Sequence, residues 1–142
     1  MQTTAEIAAQ ISAEFSLLEN WEEKYDYLIE KGQSLPDMPK DLKDDEHLVK
    51  GCQSSVWFVT ECREGSLYFQ ADSDSLIVKG LAALLQELLN GQPAEAYQNV
   101  DLSLFETLGF WRHLSSQRSN GLTAMVSFLK TAAGDCAAQR GE

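Results

Sequence analysis

The sequence predicts an α+β fold in which a small antiparallel β-sheet of about three strands packs against helices. Apolar residues recur at helical spacing near both ends of the chain, and the one clear pair of β-rich segments lies between them. Helices, one hairpin and further helices form the element order of α+β proteins rather than of alternating parallel strands. A length of 142 residues with 44% hydrophobic content is enough for one core, so we predict one domain over residues 1–142.

Two amphipathic helices are predicted at the amino-terminal end. Thr3 and a glutamate three residues later form a capping box before residues 5–18, where apolar side chains repeat at helical spacing. Asn20 gives the same signal for a second helix, which is predicted to end at Gly32 because glycine adopts a left-handed cap at low cost. The two helices are predicted to form a hairpin.

The middle of the chain is predicted to contain the sheet. Residues 35–50 are rich in proline and charged side chains, which indicates a loop, with a short strand possible at 48–49. Segments 56–61 and 67–70 are rich in β-branched and aromatic residues, and the polar residues 63–66 between them favour a turn. These segments predict a β-hairpin.

The carboxyl-terminal half is predicted to be helical. A third helix with a broad apolar face is expected to be capped by Asp72, Asp74 or Ser75 and to end at Gly91. Three further helices are predicted over residues 93–98, 102–108 and 120–132. The chain from about residue 134 is predicted to be a loose tail.

The charge balance and the apolar pattern exclude several classes of function. Eleven basic and 22 acidic residues give a net charge of −11, which is the wrong sign for neutralising phosphates, so no nucleic-acid partner is expected. The longest apolar stretch, 81–89, is interrupted by Gln86 and Glu87, so no membrane association is expected. The amino terminus resembles neither a secretory signal nor a transit peptide, which predicts a cytoplasmic protein.

The three cysteines, Cys52, Cys62 and Cys136, lack the close pairing of zinc sites and redox dithiols. An odd number at this spacing predicts free thiols in a reducing compartment rather than disulfides. Cys62 ends the first hairpin strand and Cys136 lies in the predicted tail, and neither has a turn, capping or charge context that would favour a thiolate. We therefore predict structural roles for these two.

Cys52 differs from the other cysteines because it lies on a turn, between the polar loop and the first hairpin strand. Turns between scaffold elements often display reactive groups, and Gly51 permits backbone geometries that let another molecule approach the sulfur. The alternative is a small, buried apolar side chain at a strand end.

No metal site is predicted. Asp72 and Asp74 could form a metal-binding pair, but their polar run directly precedes an apolar helical stripe, which is typical of a helix cap. His47 and His113 are each isolated in sequence from any cysteine or histidine at ligand spacing, and both are interpreted as surface or loop residues unless the fold brings them together with Cys52.

The sequence resembles the SufE family of sulfur acceptors over nearly the whole chain. Five blocks carry this resemblance in order: Asn-Trp-Glu-Glu-Lys-Tyr at 20–25 with Leu-Pro at 35–36, Gly-Cys-Gln-Ser-Ser-Val-Trp at 51–57, Asp-Ser-Asp at 72–74 with Ile-Val-Lys-Gly-Leu at 77–81, Leu-Ser at 114–115, and Arg-Ser-Asn-Gly-Leu at 118–122. Each block is short, but together, in this order and at these distances, they are specific.

The resemblance implies a helix-flanked, three-stranded fold like that of iron–sulfur scaffold proteins, with Cys52 at the family's sulfur-accepting position. It implies that a SufS-type cysteine desulfurase, or a paralogue, uses its pyridoxal phosphate to remove sulfur from cysteine and then carries that sulfur as its own persulfide. The Cys52 thiolate would attack the outer sulfur of this persulfide. This chain would bind no cofactor itself. It would stimulate the desulfurase as a sulfurtransferase-like accessory and pass sulfur to a downstream iron–sulfur scaffold.

Sulfur transfer needs a thiolate, and a free cysteine with a pKa of about 8.5 is only slightly ionised at neutral pH. Arg118 is the residue chosen to favour the thiolate or contact the partner, because a guanidinium keeps its charge and donates several hydrogen bonds. Its alternative role is that of a surface or loop-fastening arginine. Contacts with the partner are expected from Gly51, Gln53, Ser54 and Asp74.

Two other functions compete with that of a sulfur carrier. An iron–sulfur scaffold would share the fold, but scaffolds hold clusters with several cysteines and this chain has one candidate site thiol. A non-covalent adaptor would activate the desulfurase by docking, with Cys52 serving only to pack. Replacement of Cys52 separates the carrier from the adaptor.

Overall fold

The computed structural model describes residues 2–51, 54–100, 104–105, 108–109 and 116–140, the last range without the side chains of 116–120 and 139–140. The described residues form an antiparallel hairpin covered by helices, which confirms the α+β prediction. The helices are α1 (Thr4–Ser16), α2 (Trp21–Gln33), a short 3-10 turn (Lys40–Leu42), α3 (Leu76–Leu89), α4 (Ala94–Gln98) and α5 (Ser116–Arg140), and the strands are β1 (Val56–Arg63) and β2 (Ser66–Ser73). None of these helices is long and apolar enough to cross a bilayer.

The two amino-terminal helices begin where their capping residues predict. Thr3 and Glu6 form a reciprocal capping box at α1, in which the Glu6 N–H donates to Thr3 Oγ1 at 3.2 Å. The Glu23 N–H donates to Asn20 Oδ1 at 2.9 Å at the start of α2. Both bonds satisfy helix N–H groups that have no partner within the helix.

Gly32 does not have its predicted role as a left-handed cap. It lies inside α2, which continues to Gln33, and Gly32 is not among the described glycines with positive φ. A Cβ atom on Gly32 would lie 2.8 Å from the backbone nitrogen of Gly80 in α3. Gly32 is therefore needed for the close crossing of α2 and α3, a long-range contact that the local sequence does not reveal.

The hairpin pairs Val56 with Ser73 at one end and Arg63 with Ser66 at the other. Its two-residue turn is Glu64-Gly65, with φ values of 51° and 83°, as a type I′ turn requires. The predicted third strand is reduced to one antiparallel bridge, Leu48 to Trp57. The strand is short because a turn directly precedes it, in which Asp44 accepts a hydrogen bond from the His47 N–H at 3.1 Å. Little extended chain therefore remains to pair with β1.

The core lies between the hairpin, α3 and α5. Ser75 caps α3 through a 3.3 Å bond from the Val78 N–H, and the helix ends before Gly91, which has a positive φ of 80°. Most of α3 is buried, including Leu81, Leu84, Leu85 and Leu88. Phe58 of β1 packs against the rings of Phe69 in β2 and Phe128 in α5, with centroid distances of 5.5 and 5.7 Å.

The last helix is longer than predicted. The structure has α5 from Ser116 to Arg140, so the predicted loose tail from residue 134 is helical to Arg140, and Cys136 is buried with 1% exposure. Cys136 is joined to Cys62 by a disulfide, with a Cα–Cα distance of 5.5 Å. The prediction that both are free thiols was therefore wrong, because a separation of 74 residues leaves no local spacing signal of a bond.

Candidate functional site

Cys52 and Gln53 lie outside the described residues, but the residues on both sides of this predicted turn, here called the Cys52 turn, are described. Gly51 is exposed and has a φ of 94°, a backbone conformation that glycine adopts without a steric penalty. A Cβ on Gly51 would meet the Ala124 side chain of α5 at 3.3 Å. The turn therefore begins in close contact with the carboxyl-terminal helix.

The other end of the turn is bound to the segment between β2 and α3. The Ser55 N–H donates to Asp74 Oδ1 at 3.0 Å, and the Asp74 N–H donates to the Ser55 carbonyl at 3.2 Å. The Ser73 hydroxyl also donates to that carbonyl at 2.8 Å. Asp74, expected to contact a partner, thus holds the end of the Cys52 turn, and Ser54 is half-buried beside it.

Asp72 is the buried charge next to this site. Its side chain is 6% exposed and lies between Lys43 Nζ at 3.0 Å and Lys79 Nζ at 3.3 Å. Burial raises the pKa of Asp72, but hydrogen bonds from Lys43, the Ser73 N–H and Lys79 outweigh it and hold the pKa below its ordinary value. Asp72 therefore binds two lysines rather than capping α3.

Lys43 and Lys79 are site residues that sequence reasoning missed. Lys43 lies in the charged loop after the 3-10 turn, and its ammonium group is also 5.4 Å from the ring centroid of Trp57. Nothing in the local sequence pairs either lysine with Asp72, because the three come together only through the tertiary fold. The ion pairs of Asp72 with Lys43 and Lys79 fix the loop after the 3-10 turn to β2 and α3. Ser73 and Asp74, which bind Ser55, directly follow Asp72 in sequence.

Replacing Asp72 by asparagine is expected to lower the free energy of unfolding at pH 7 by about 2–3 kcal/mol, since two partly exposed lysines lose their carboxylate. The folded-state pKa is depressed. The stabilisation is therefore complete above the unfolded-state pKa of about 3.9 and is lost as the pH falls through the lower folded-state pKa. Urea unfolding of both proteins at pH 7 and near pH 3 measures the difference.

The matched control for this experiment is Asp37→Asn, which removes a carboxylate from an exposed side chain. We expect it to change the unfolding free energy by less than about 0.5 kcal/mol at either pH. An equal loss for Asp72→Asn at pH 7 and pH 3 would contradict the electrostatic explanation and assign the effect to packing.

A groove of about 970 Å³ lies beside the Cys52 turn, between α5 on one side and residues 45–51 with β1 on the other. We call it the α5 groove. Its apolar part is formed by Phe58, Ala124, Phe128 and Ala132, and Asp45, Glu46 and Asp135 give it an acidic rim. Gly51 also lines it, so the groove reaches the residue that precedes Cys52.

Arg118 lies inside the first turns of α5 rather than before the last helix, and its side chain is outside the described residues. Its predicted contact with Cys52 or a partner stays a prediction. His113 is also outside the described residues.

His47 lies near the α5 groove, but its ring is held by a neighbouring residue. Its Nδ1 atom is 2.7 Å from Asp44 Oδ1, and Glu46 brings a third ligand-type group within 4.8 Å of both. These groups lie in one short loop, where Asp44 and His47 are bonded to each other. The cluster therefore gives no reason to assign a metal to this loop.

Comparisons with known proteins identify the family of this chain. The family model described as SufE, Fe-S metabolism associated domain, matches residues 9–133. An uncharacterised SufE-like protein of Rhizobium meliloti is 40% identical over 129 residues, covering 87% of this chain and 92% of its own. A second, from Rhizobium etli, is 38% identical over 126 residues and covers 85% of both chains.

A solved structure shares the fold. The solution structure of a hypothetical protein from Thermus thermophilus superposes with a TM-score of 0.76, covering 93% of this chain and 96% of that one at 22% identity. The family model spans most of the residues described above, including both ends of the Cys52 turn. This chain therefore belongs to the SufE family, which is associated with iron–sulfur metabolism.

Proposed function

We propose that this protein accepts persulfide sulfur on Cys52 from a SufS-type cysteine desulfurase, or a paralogue, and passes it on for iron–sulfur cluster assembly in the cytoplasm. The observations that support the proposal are the described residues that flank Cys52. In a SufE-family chain, Gly51 lies close to Ala124 and lines an open groove, and Ser55 is hydrogen-bonded to Asp74. The chain on both sides of Cys52 therefore runs between scaffold elements, where reactive side chains are often displayed.

The transfer is a thiol exchange. The Cys52 thiolate attacks the outer sulfur of the partner's persulfide, so that a new bond forms between Cys52 Sγ and that sulfur. The bond between the outer sulfur and the partner's cysteine breaks, and the partner's cysteine leaves as a thiolate. Release of sulfur from free cysteine belongs to the pyridoxal phosphate of the desulfurase, so this chain needs no cofactor of its own.

Five further residues have proposed roles in this reaction. Arg118 stabilises the Cys52 thiolate or contacts the partner, because its guanidinium keeps a positive charge at neutral pH. Gly51, Gln53, Ser54 and Asp74 contact the desulfurase around the cysteine. Asp74 has a second role as the acceptor for the Ser55 N–H, so it both shapes the turn and faces the docking surface.

The cysteine pairing weighs against a function as an iron–sulfur scaffold. Two of the three cysteines, Cys62 and Cys136, are bonded to each other. Cluster sites generally use several thiolates, and in the disulfide form only Cys52 could supply one. A carrier needs a single thiol.

The direct test is to incubate the protein with a desulfurase and cysteine, then measure intact mass and map peptides without reductant. We expect the mass of added sulfur on the peptide that contains Cys52, and a linked pair of peptides containing Cys62 and Cys136. Arg118→Ala should slow the labelling, with Arg118→Lys as the charge-retaining control. Sulfur found mainly on Cys62 or Cys136 would refute the proposal.

A further inference from the structure

The helix α5 and the strand β1 run side by side in the same direction. Phe58 faces Phe128 with a centroid distance of 5.7 Å, and Cys62 is bonded to Cys136. Four strand residues span about 13 Å and eight helix residues span about 12 Å, so the two pairs are in register. The disulfide therefore lies at the end of the α5 groove that is far from Gly51.

The last turns of α5 bury few side chains besides the bonded cysteine. Up to Ala133 the helix buries a continuous set of side chains: Leu122, Met125, Val126, Leu129 and Ala133. Over residues 134–138, in contrast, Cys136 is the one buried residue, and its four neighbours are exposed. Helix ends with little apolar burial open readily, and the disulfide is the covalent link between this segment and β1.

The two cysteines differ in exposure. Cys136 is 1% exposed, whereas Cys62 is partly exposed at the edge of the hairpin. An incoming thiolate therefore reaches Cys62 first. This asymmetry defines which sulfur is attacked and which one leaves.

We propose that Cys62 and Cys136 form a reversible thiol–disulfide pair that controls the width of the α5 groove and, through it, sulfur transfer at Cys52. The disulfide form holds residues 134–140 against β1 and keeps the groove narrow. The dithiol form releases them, so the far end of the groove, lined by Thr131, Ala132 and Asp135, opens to the desulfurase. The effect on transfer rests on the function proposed above; the effect on the helix does not.

The reductant is a dithiol, and the step balances as ordinary exchange. One thiolate of the reductant attacks Cys62 Sγ and forms a mixed disulfide, while Cys136 leaves as a thiolate and takes up a proton. The second thiol of the reductant then attacks the reductant's sulfur in the mixed disulfide. Cys62 leaves as a thiolate and takes up a proton. Two electrons and two protons pass to the protein, and the reductant departs as a disulfide.

The structural test is hydrogen exchange of the full chain in three forms: oxidised wild type, wild type reduced with dithiothreitol, and Cys62→Ser. The serine variant leaves the buried Cys136 in place. We expect peptides covering residues 131–140 to lose their protection in the last two forms and to exchange at least about tenfold faster, while residues 121–129 remain the better protected part of α5 in all three forms. Equal exchange in all three forms would overturn the proposal, as would failure of oxidised glutathione to link Cys62 to Cys136.

The functional test is single-turnover transfer from a preloaded desulfurase persulfide without added reductant. We expect Cys62→Ser to receive sulfur on Cys52 several-fold faster than the oxidised wild type. If the two proteins receive sulfur at equal rates although the end of α5 exchanges faster in Cys62→Ser, the proposal that the disulfide controls transfer is overturned. If neither form receives sulfur, the carrier function fails, and hydrogen exchange still decides whether the disulfide holds the helix.

Discussion

Replacing Cys52 by alanine is expected to reduce persulfide transfer to the background of a protein without a thiol. The substitution removes the atom that forms the new sulfur–sulfur bond, and serine cannot replace it because an alcohol is a far weaker nucleophile than a thiolate at neutral pH. The fold should be unaffected, with a change in unfolding free energy below about 0.5 kcal/mol, because Gly51 beside it is exposed. Single-turnover labelling and thermal unfolding measure the two effects.

Cys62→Ser also removes one sulfur but leaves Cys52 in place, so it should still receive persulfide sulfur and is the control for transfer alone, because it also breaks the disulfide. Stimulation of the desulfurase is measured in the same samples. If Cys52→Ala stimulates as strongly as the wild type, the protein is an adaptor that acts by docking. A large fall in thermal stability would instead identify Cys52 as a packing residue.

Replacing Gly80 by alanine is expected to destabilise the protein by about 3 kcal/mol or more, although alanine is the better helix former by about 1 kcal/mol. The added Cβ would lie 2.7 Å from Leu28 Cγ and also against the Leu28 backbone, at a residue that is fully buried. Backbone atoms cannot move aside as a side chain can, so α2 and α3 must separate. Urea unfolding measures the loss.

The chain provides a matched control for Gly80→Ala. Gly134 is also helical, but a Cβ there would meet nothing closer than Gln98 Nε2 at 3.7 Å, which is an ordinary contact. Gly134→Ala should therefore stabilise the protein by about 0.5–1 kcal/mol. The same chemical change thus has opposite signs at two helical sites. Similar effects at both would contradict the close crossing of α2 and α3.

The features that could be predicted from sequence are those fixed by a few neighbouring residues. The caps at Thr3 and Asn20 and the turn at 63–66 each depend on side chains within about four positions, and all three occur as predicted. The position of Gly51 on a turn is local as well, since its positive φ follows from a glycine between a polar loop and a strand. Family membership followed from several such local blocks.

The features that could not be predicted depend on residues brought together by the fold. Cys62 is bonded to Cys136, which lies 74 residues away in sequence, and Asp72 of β2 pairs with Lys43 of a distant loop. The extra length of α5 has the same origin, because the turns after Ala133 carry few apolar side chains and give no amphipathic signal. One of these turns carries Cys136, which is bonded to Cys62 of β1, a contact that the local sequence does not indicate.

The bond between Cys62 and Cys136 also restricts the conformations of the unfolded chain. It closes a ring that contains β2, α3, α4 and most of α5, while α1, α2 and the Cys52 turn lie outside it. A closed loop of this length reduces the conformational entropy of the unfolded chain by an amount equivalent to about 4 kcal/mol in the chain-entropy model. An oxidised molecule that loses its native contacts therefore keeps its central segments tethered, and the part that gains full chain freedom is the amino-terminal arm, which contains Cys52.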